Sequence, residues 1–168
     1  MANAAMNVAQ IMERLAACSS RPRYAFQVLS LLAERAGPEG KVGPAVVDDD
    51  EERLSLRDYI GKRIARLASA GARRRQLEAR VRAELAGQLP SDPNEAQALI
   101  DRIVDERCRS AGADNFSRVV SELERAGFVA RYYQGYRTNH ANRGGQRQLV
   151  CVLDGDVSAA LRARDRFI

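Results

Sequence analysis

Apolar residues recur along most of this chain at steps of three and four, and the step changes to two only near its end. Val8, Ile11, Met12 and Leu15 share one stripe and predict a first helix over residues 3–18. Ser19, Ser20 and Pro22 interrupt it and restart the chain. Phe26, Val28, Leu29, Leu31 and Leu32 then wrap more than one face of a second helix over 22–36, which marks it for the core. Gly37 and Pro38 end it. Residues 37–52 read as a loop, with Ala45-Val46-Val47 as a brief strand able to pair with a later hairpin. The acidic run 48–52 reads as a solvated segment ahead of a helix, where the dipole favours negative charge.

Ser55, with Asp58 three residues on, has the form of a capping box. It opens a helix with Leu56, Tyr59, Ile60, Ile64 and Leu67 inward and Lys62, Arg63 and Arg66 on the other side. Beyond Gly71, residues 73–89 predict a strongly charged helix with Leu77, Val81, Leu85 and Leu89 at near-heptad spacing. So narrow a stripe suits docking on a partner helix. A basic cluster at Arg73, Arg74 and Arg75 is diluted by Glu78 and Glu84 and reads as solvated. Asp92-Pro93-Asn94-Glu95 supplies a cap, a first-turn proline and a carboxylate, and predicts a helix running to about Arg109.

Residues 110–114, Ser-Ala-Gly-Ala-Asp, read as a tight turn. Residues 92–127 are therefore expected to form a helix, a turn and a second helix. The second helix, 115–126, has Phe116, Val119, Val120 and Leu123 on one face, Asp114 or Asn115 as its cap, and Gly127 past its end. Its other face carries Ser117, Arg118, Ser121, Glu122 and Arg125. The period then shortens to that of strands. Residues 128–138 and 146–153 are rich in β-preferring side chains, and the second ends in the apolar run Leu-Val-Cys-Val-Leu. Between them lies Thr-Asn-His-Ala-Asn-Arg-Gly-Gly, a polar loop. Asp154-Gly155-Asp156 forms a turn and cap ahead of a short helix over 157–166.

Charge sharpens this picture. From 125 to 153 there is no Asp or Glu, while Arg125, Arg131, Arg137, Arg143 and Arg147 all fall there. Those five arginines equal the formal excess of +5 for the whole chain, so the remainder sums to zero. A basic excess confined to one element is a footprint for phosphate, and arginine suits bidentate phosphate or guanine contacts. Tyr132, Tyr133 and Tyr136 are interleaved with these bases and can hydrogen-bond phosphate or stack on a base. Strand alternation is expected to turn at least one of them toward the core.

A helix, the turn Leu-Glu-Arg-Ala-Gly-Phe-Val and two strands joined by a polar loop resemble the recognition helix and wing of winged helix-turn-helix proteins. The resemblance covers the last third of the chain. It implies a mainly α fold with a small antiparallel β-hairpin, a winged helix-turn-helix with additional helices. It also implies a sequence-specific double-stranded DNA binder, a prokaryotic or phage transcriptional regulator acting as a homodimer. Helix 115–126 would enter the major groove, with Asn115, Ser117, Arg118, Ser121, Glu122 and Arg125 at base edges or adjacent phosphates. The wing, 128–153, would place Arg131, Tyr133, Arg137, Asn139, His140, Asn142, Arg143 and Arg147 along the backbone or minor groove. On this reading 1–91 is a helical extension able to dimerise, and 92–168 holds the helix-turn-helix, wing and terminal helix. Two alternatives remain. One is a winged-helix protein-interaction module docking through helix 73–89. The other is a plasmid or phage replication or partition factor.

Enzymatic chemistry finds little support. There is no P-loop and no Gly-x-Gly-x-x-Gly after a strand. The single histidine, His140, lacks partners for a nucleophilic or metal site. No enzyme activity, cofactor or metal is expected. Cys18, Cys108 and Cys151 are far apart, odd in number and set in apolar patterns. They suit buried thiols in a reducing cytoplasm rather than a disulfide framework. The N-terminus lacks the form of a signal peptide, and no stretch has the length of a membrane span.

Overall fold

Burial of the apolar stripes organises two compact units, one built from residues 1–59 and 116–168, the other from 60–115. The computed structural model describes residues 6–67, 71–134 and 148–165. The described residues are mainly helical, 66 %, with small antiparallel sheets. In order its elements are α1 (Val8–Cys18), α2 (Pro22–Arg35), β1 (Lys41–Val42), β2 (Ala45–Val47), β3 (Arg53–Ser55), α3 (Leu56–Leu67), α4 (Ala72–Glu84), α5 (Pro93–Arg125), β4 (Val129–Tyr133), β5 (Leu149–Leu153) and α6 (Gly155–Asp165).

In the first unit α1, α2 and α6 pack on one another, and α2 also covers β1 and β5. Each helix start is fixed by its own sequence. Asn7 and Gln10 form a reciprocal capping box for α1, and Pro22 occupies the first turn of α2. Asp154 accepts from the backbone of Asp156 and Val157 to open α6. The three-stranded sheet has the order β1-β5-β4 and is antiparallel throughout. Its central strand β5 is the Leu-Val-Cys-Val-Leu run, buried at every position but Val152, as a strand covered on both sides should be. The short strand expected at 45–47 does form, but it pairs with β3; β1, just upstream, pairs with the hairpin instead.

The second unit closes on Val81, Ile100 and Val104, with Leu77, Leu85, Leu89, Ile103 and Cys108 packed against them. This corrects the expected use of helix 73–89. Its leucine stripe is not a free docking surface, because α5 already covers it. Burying each such side chain contributes roughly 1.5–3 kcal/mol, so exposing the stripe to a partner would carry that cost several times over. The helix also stops at Glu84, and Gly87 lies in the left-handed region at φ 86°. The boundary expected at 91 falls inside this unit.

The expected turn at 110–114 is absent. α5 is one helix of 33 residues, opened as expected by Asp92, which accepts from Asn94 and Glu95. Glycine inside a helix costs about 1 kcal/mol relative to alanine, which is why Ser-Ala-Gly-Ala-Asp reads as a break. Here a tertiary contact outweighs that cost. A Cβ on Gly112 would sit 3.1 Å from the Gly61 Cα, and one on Gly61 would sit 2.9 Å from the Arg109 carbonyl oxygen. The small residues let the backbones of α3 and α5 touch. Asp114 and Asn115 are therefore interior helix positions and cap nothing.

Candidate nucleic-acid interface

The last turns of α5 keep the expected inward face: Phe116, Val119, Val120 and Leu123 are all buried. The helix then ends in a Schellman turn. Phe128 N–H donates to the Leu123 carbonyl, Gly127 N–H donates to that of Glu124, and Gly127 takes φ 73°. That turn feeds β4 directly, so helix and hairpin are set by one backbone motif. Arg14 of α1 secures the joint: it donates to the Ala126 carbonyl and stacks 4.5 Å from the Phe128 ring centroid. Its contribution had no signal in the sequence, because it lies more than a hundred residues upstream.

The outward face is more mixed than its composition suggests. Arg118 and Arg125 are exposed, and Asn115, Ser117 and Ser121 are half-buried. The Ser121 hydroxyl donates to the Ser117 carbonyl at 3.2 Å, and Arg125 Nε donates to the Ser121 carbonyl at 3.3 Å. Glu122 departs from its expected role. It is only 6 % exposed, and its carboxylate accepts from the Ser19 and Ser20 hydroxyls in the α1–α2 connection. A buried carboxylate must keep its donors, so this side chain ties α5 to the connection and is not presented to a ligand.

On the hairpin, Arg131 Nε lies 3.0 Å from Glu124 Oε2. The acid-free stretch thus borrows a carboxylate from the helix just before it. Tyr132 and Tyr133 are 42 % and 40 % exposed, so neither packs into the core; Tyr136, the third tyrosine of that expectation, lies outside the described residues. β4 is the edge strand of its sheet, which leaves both accessible. Lys41 of β1 approaches the Tyr132 ring at 5.9 Å and adds a cation that the sequence reading missed. Cys151, paired across from Arg131, is fully buried, and desolvation pushes its thiol up to about 12. Arg137, Asn139, His140, Asn142, Arg143 and Arg147, with Tyr136, lie outside the described residues.

The structure therefore brings Arg118, Arg125, Arg131, Tyr132 and Tyr133 onto one helix end and its following strand. Among the described residues no cluster of His, Cys, Asp and Glu could hold a metal ion, and no helix is long and apolar enough to cross a membrane. Comparison with protein-family models, curated proteins and solved structures finds no match to this chain.

Proposed function

We propose that the chain is a sequence-specific double-stranded DNA-binding protein of the transcriptional-regulator type, built on a winged helix. The observation that carries this reading is the run of parts in the first unit. An α-helical segment ends in a Schellman turn, enters an antiparallel hairpin, and the hairpin's second strand also pairs with a short upstream strand to give the order β1-β5-β4. A short strand upstream, then a helix that runs into a hairpin pairing with that strand, are what a winged helix requires. The absence of Asp and Glu between 125 and 153 adds the electrostatics.

On this fold α3, not residues 92–109, is the helix that precedes the probe, and the second unit, 60–115, begins within α3 and ends where the probe starts. Leu56 and Tyr59 of α3 belong to the same compact unit as Phe116–Arg125. Arg118 and Arg125, flanked by Ser117 and Ser121, would meet base edges and phosphates in the major groove. Arg131, Tyr133 and the basic loop residues Arg137, Asn139, His140, Asn142, Arg143 and Arg147 would follow the flanking backbone or minor groove. Glu122 is removed from the contact set. A homodimer fits the reading, since paired half-sites would double the small surface of one helix.

The test is recovery of bound fragments from genomic DNA with the parent protein and with Arg118→Ala. The reading expects one enriched sequence family for the parent and a relaxed preference at one or two base pairs for the variant. Fragments with no shared sequence from either protein would refute it.

A further inference from the structure

The second unit contains a cavity of about 300 Å³ that the proposed DNA surface does not use. Lys62, Ala65 and Arg66 line it from one face of α3, Arg74 from the first turn of α4, and Asp105 and Arg109, four residues apart, from α5. Four cations line it against Asp105, and Asp101 and Glu106 stand beside Arg74 and Arg109, which leaves an excess of one positive charge in a concave setting. A concave cluster of like charge raises the local concentration of anions. The start of α4 adds to it. Its N-cap is Gly71, no side chain caps it, and its first turn has no acidic residue, so the positive end of the helix dipole is left uncompensated by its own sequence.

The partners of these cations are informative. Arg74 Nη2 lies 2.7 Å from Asp105 Oδ1, and this contact holds the guanidinium above its ordinary pKa. Arg109 reaches Glu106 only at 4.0 Å. Lys62 and Arg66 have interactions of their own. The cavity is therefore a seat in which one carboxylate already engages one arm of an arginine. A phosphate carries more charge than a carboxylate and can accept from both arms of a guanidinium, so it can compete with the single contact that Asp105 makes.

We propose that this cavity is a phosphate-binding site, distinct from the interface at the end of α5, in which Asp105 holds Arg74 until a phosphate group displaces it. The phosphate is that of a nucleic-acid backbone or of a small phosphorylated molecule. Arg66 and Arg109 supply the remaining contacts from the two flanking helices.

The full chain is titrated with sodium pyrophosphate by calorimetry, and with a fluorescein-labelled random duplex over a series of salt concentrations. Arg66→Ala combined with Arg109→Ala, both exposed positions, is compared with Asp105→Asn and with the parent, each checked for folding by circular dichroism. The double variant should weaken pyrophosphate binding by about tenfold or more, or lower the duplex salt slope by about two. Asp105→Asn should tighten whichever probe binds. Loss of pyrophosphate affinity with an unchanged slope identifies a small phosphorylated molecule as the source, and a lowered slope identifies the backbone. A double variant equal to the parent in both measurements overturns the proposal, as does an Asp105→Asn protein that binds both probes more weakly. Arg118→Ala should leave pyrophosphate binding untouched, so failure of this site and failure of the DNA interface are told apart.

Discussion

Glu122→Ala separates a structural carboxylate from a base-reading one. The side chain is 6 % exposed and accepts two hydroxyl hydrogen bonds. The bond from Ser19 is the short one, and hydrogen bonds to charged groups contribute about 1.5–3 kcal/mol each. The bond from Ser20 is 3.4 Å long and comes from an exposed residue, so water replaces it at little cost. Removing Glu122 should therefore destabilise the first unit by about 2–3 kcal/mol, a fall in Tm of roughly 4–12 °C for a chain of this size. Ser19→Ala should cost a similar amount, because it leaves the buried carboxylate short of a donor. The two substitutions together should cost less than their sum, since each removes the same contact. Glu122→Gln keeps an acceptor and should lose only about 1 kcal/mol. Urea and thermal melts followed by circular dichroism give these values. Duplex affinity, measured well below the transition, should not change. A Glu122→Ala protein within about 0.5 kcal/mol of the parent, but with altered base preference, would place the side chain on DNA and refute this reasoning.

Three further outcomes follow from other contacts. Gly61→Ala pushes a Cβ to 2.9 Å from a backbone carbonyl, while Gly155→Ala, at the start of α6, meets nothing within 4 Å. The first should destabilise relative to the second by about 1–3 kcal/mol in urea melts, and equal stabilities would remove the α3–α5 seam. Glu124→Gln releases Arg131 from its ion pair, so duplex affinity should rise a few-fold while stability moves by less than about 1 kcal/mol; weaker binding would count against a phosphate contact by Arg131. The Cys151 thiol lies at about 12 against an ordinary 9.0, so the folded state keeps it protonated where the unfolded chain ionises. Its contribution to stability is whole below pH 9.0 and is lost as pH rises toward about 12. Melts between pH 9 and 11 should therefore fall more steeply for the parent than for Cys151→Ala, and parallel curves would refute its burial.

Local signals in the sequence were reliable where the physics is local. The capping box at Ser55, the Asp92-Pro93 start, the Gly127 stop and the inward stripe of Phe116, Val119, Val120 and Leu123 depend on neighbours within a few residues. Misreadings arose where a distant partner decides. Gly112 can mark a turn or a close helix crossing, and only Gly61, fifty-one residues upstream, selects the crossing. The Leu77–Val81–Leu85 stripe can face a second chain or the chain's own α5, and periodicity is the same in both cases. Glu122 sits on the polar face of its helix by spacing, yet Ser19 and Ser20 bring that flank into the interior. The same limit hid Arg14 and Lys41, which reach the hairpin from α1 and β1.

The central claim is that the helix end and the basic segment behind it grip duplex DNA through phosphate. The most direct measurement is the salt dependence of duplex binding for the parent and for a protein with Arg137, Arg143 and Arg147 all changed to Ala. The account predicts a steep linear fall of log affinity with log salt for the parent, and a slope smaller by about three for the variant. A parent that binds no duplex at low salt, or a variant whose slope matches the parent's, would contradict it.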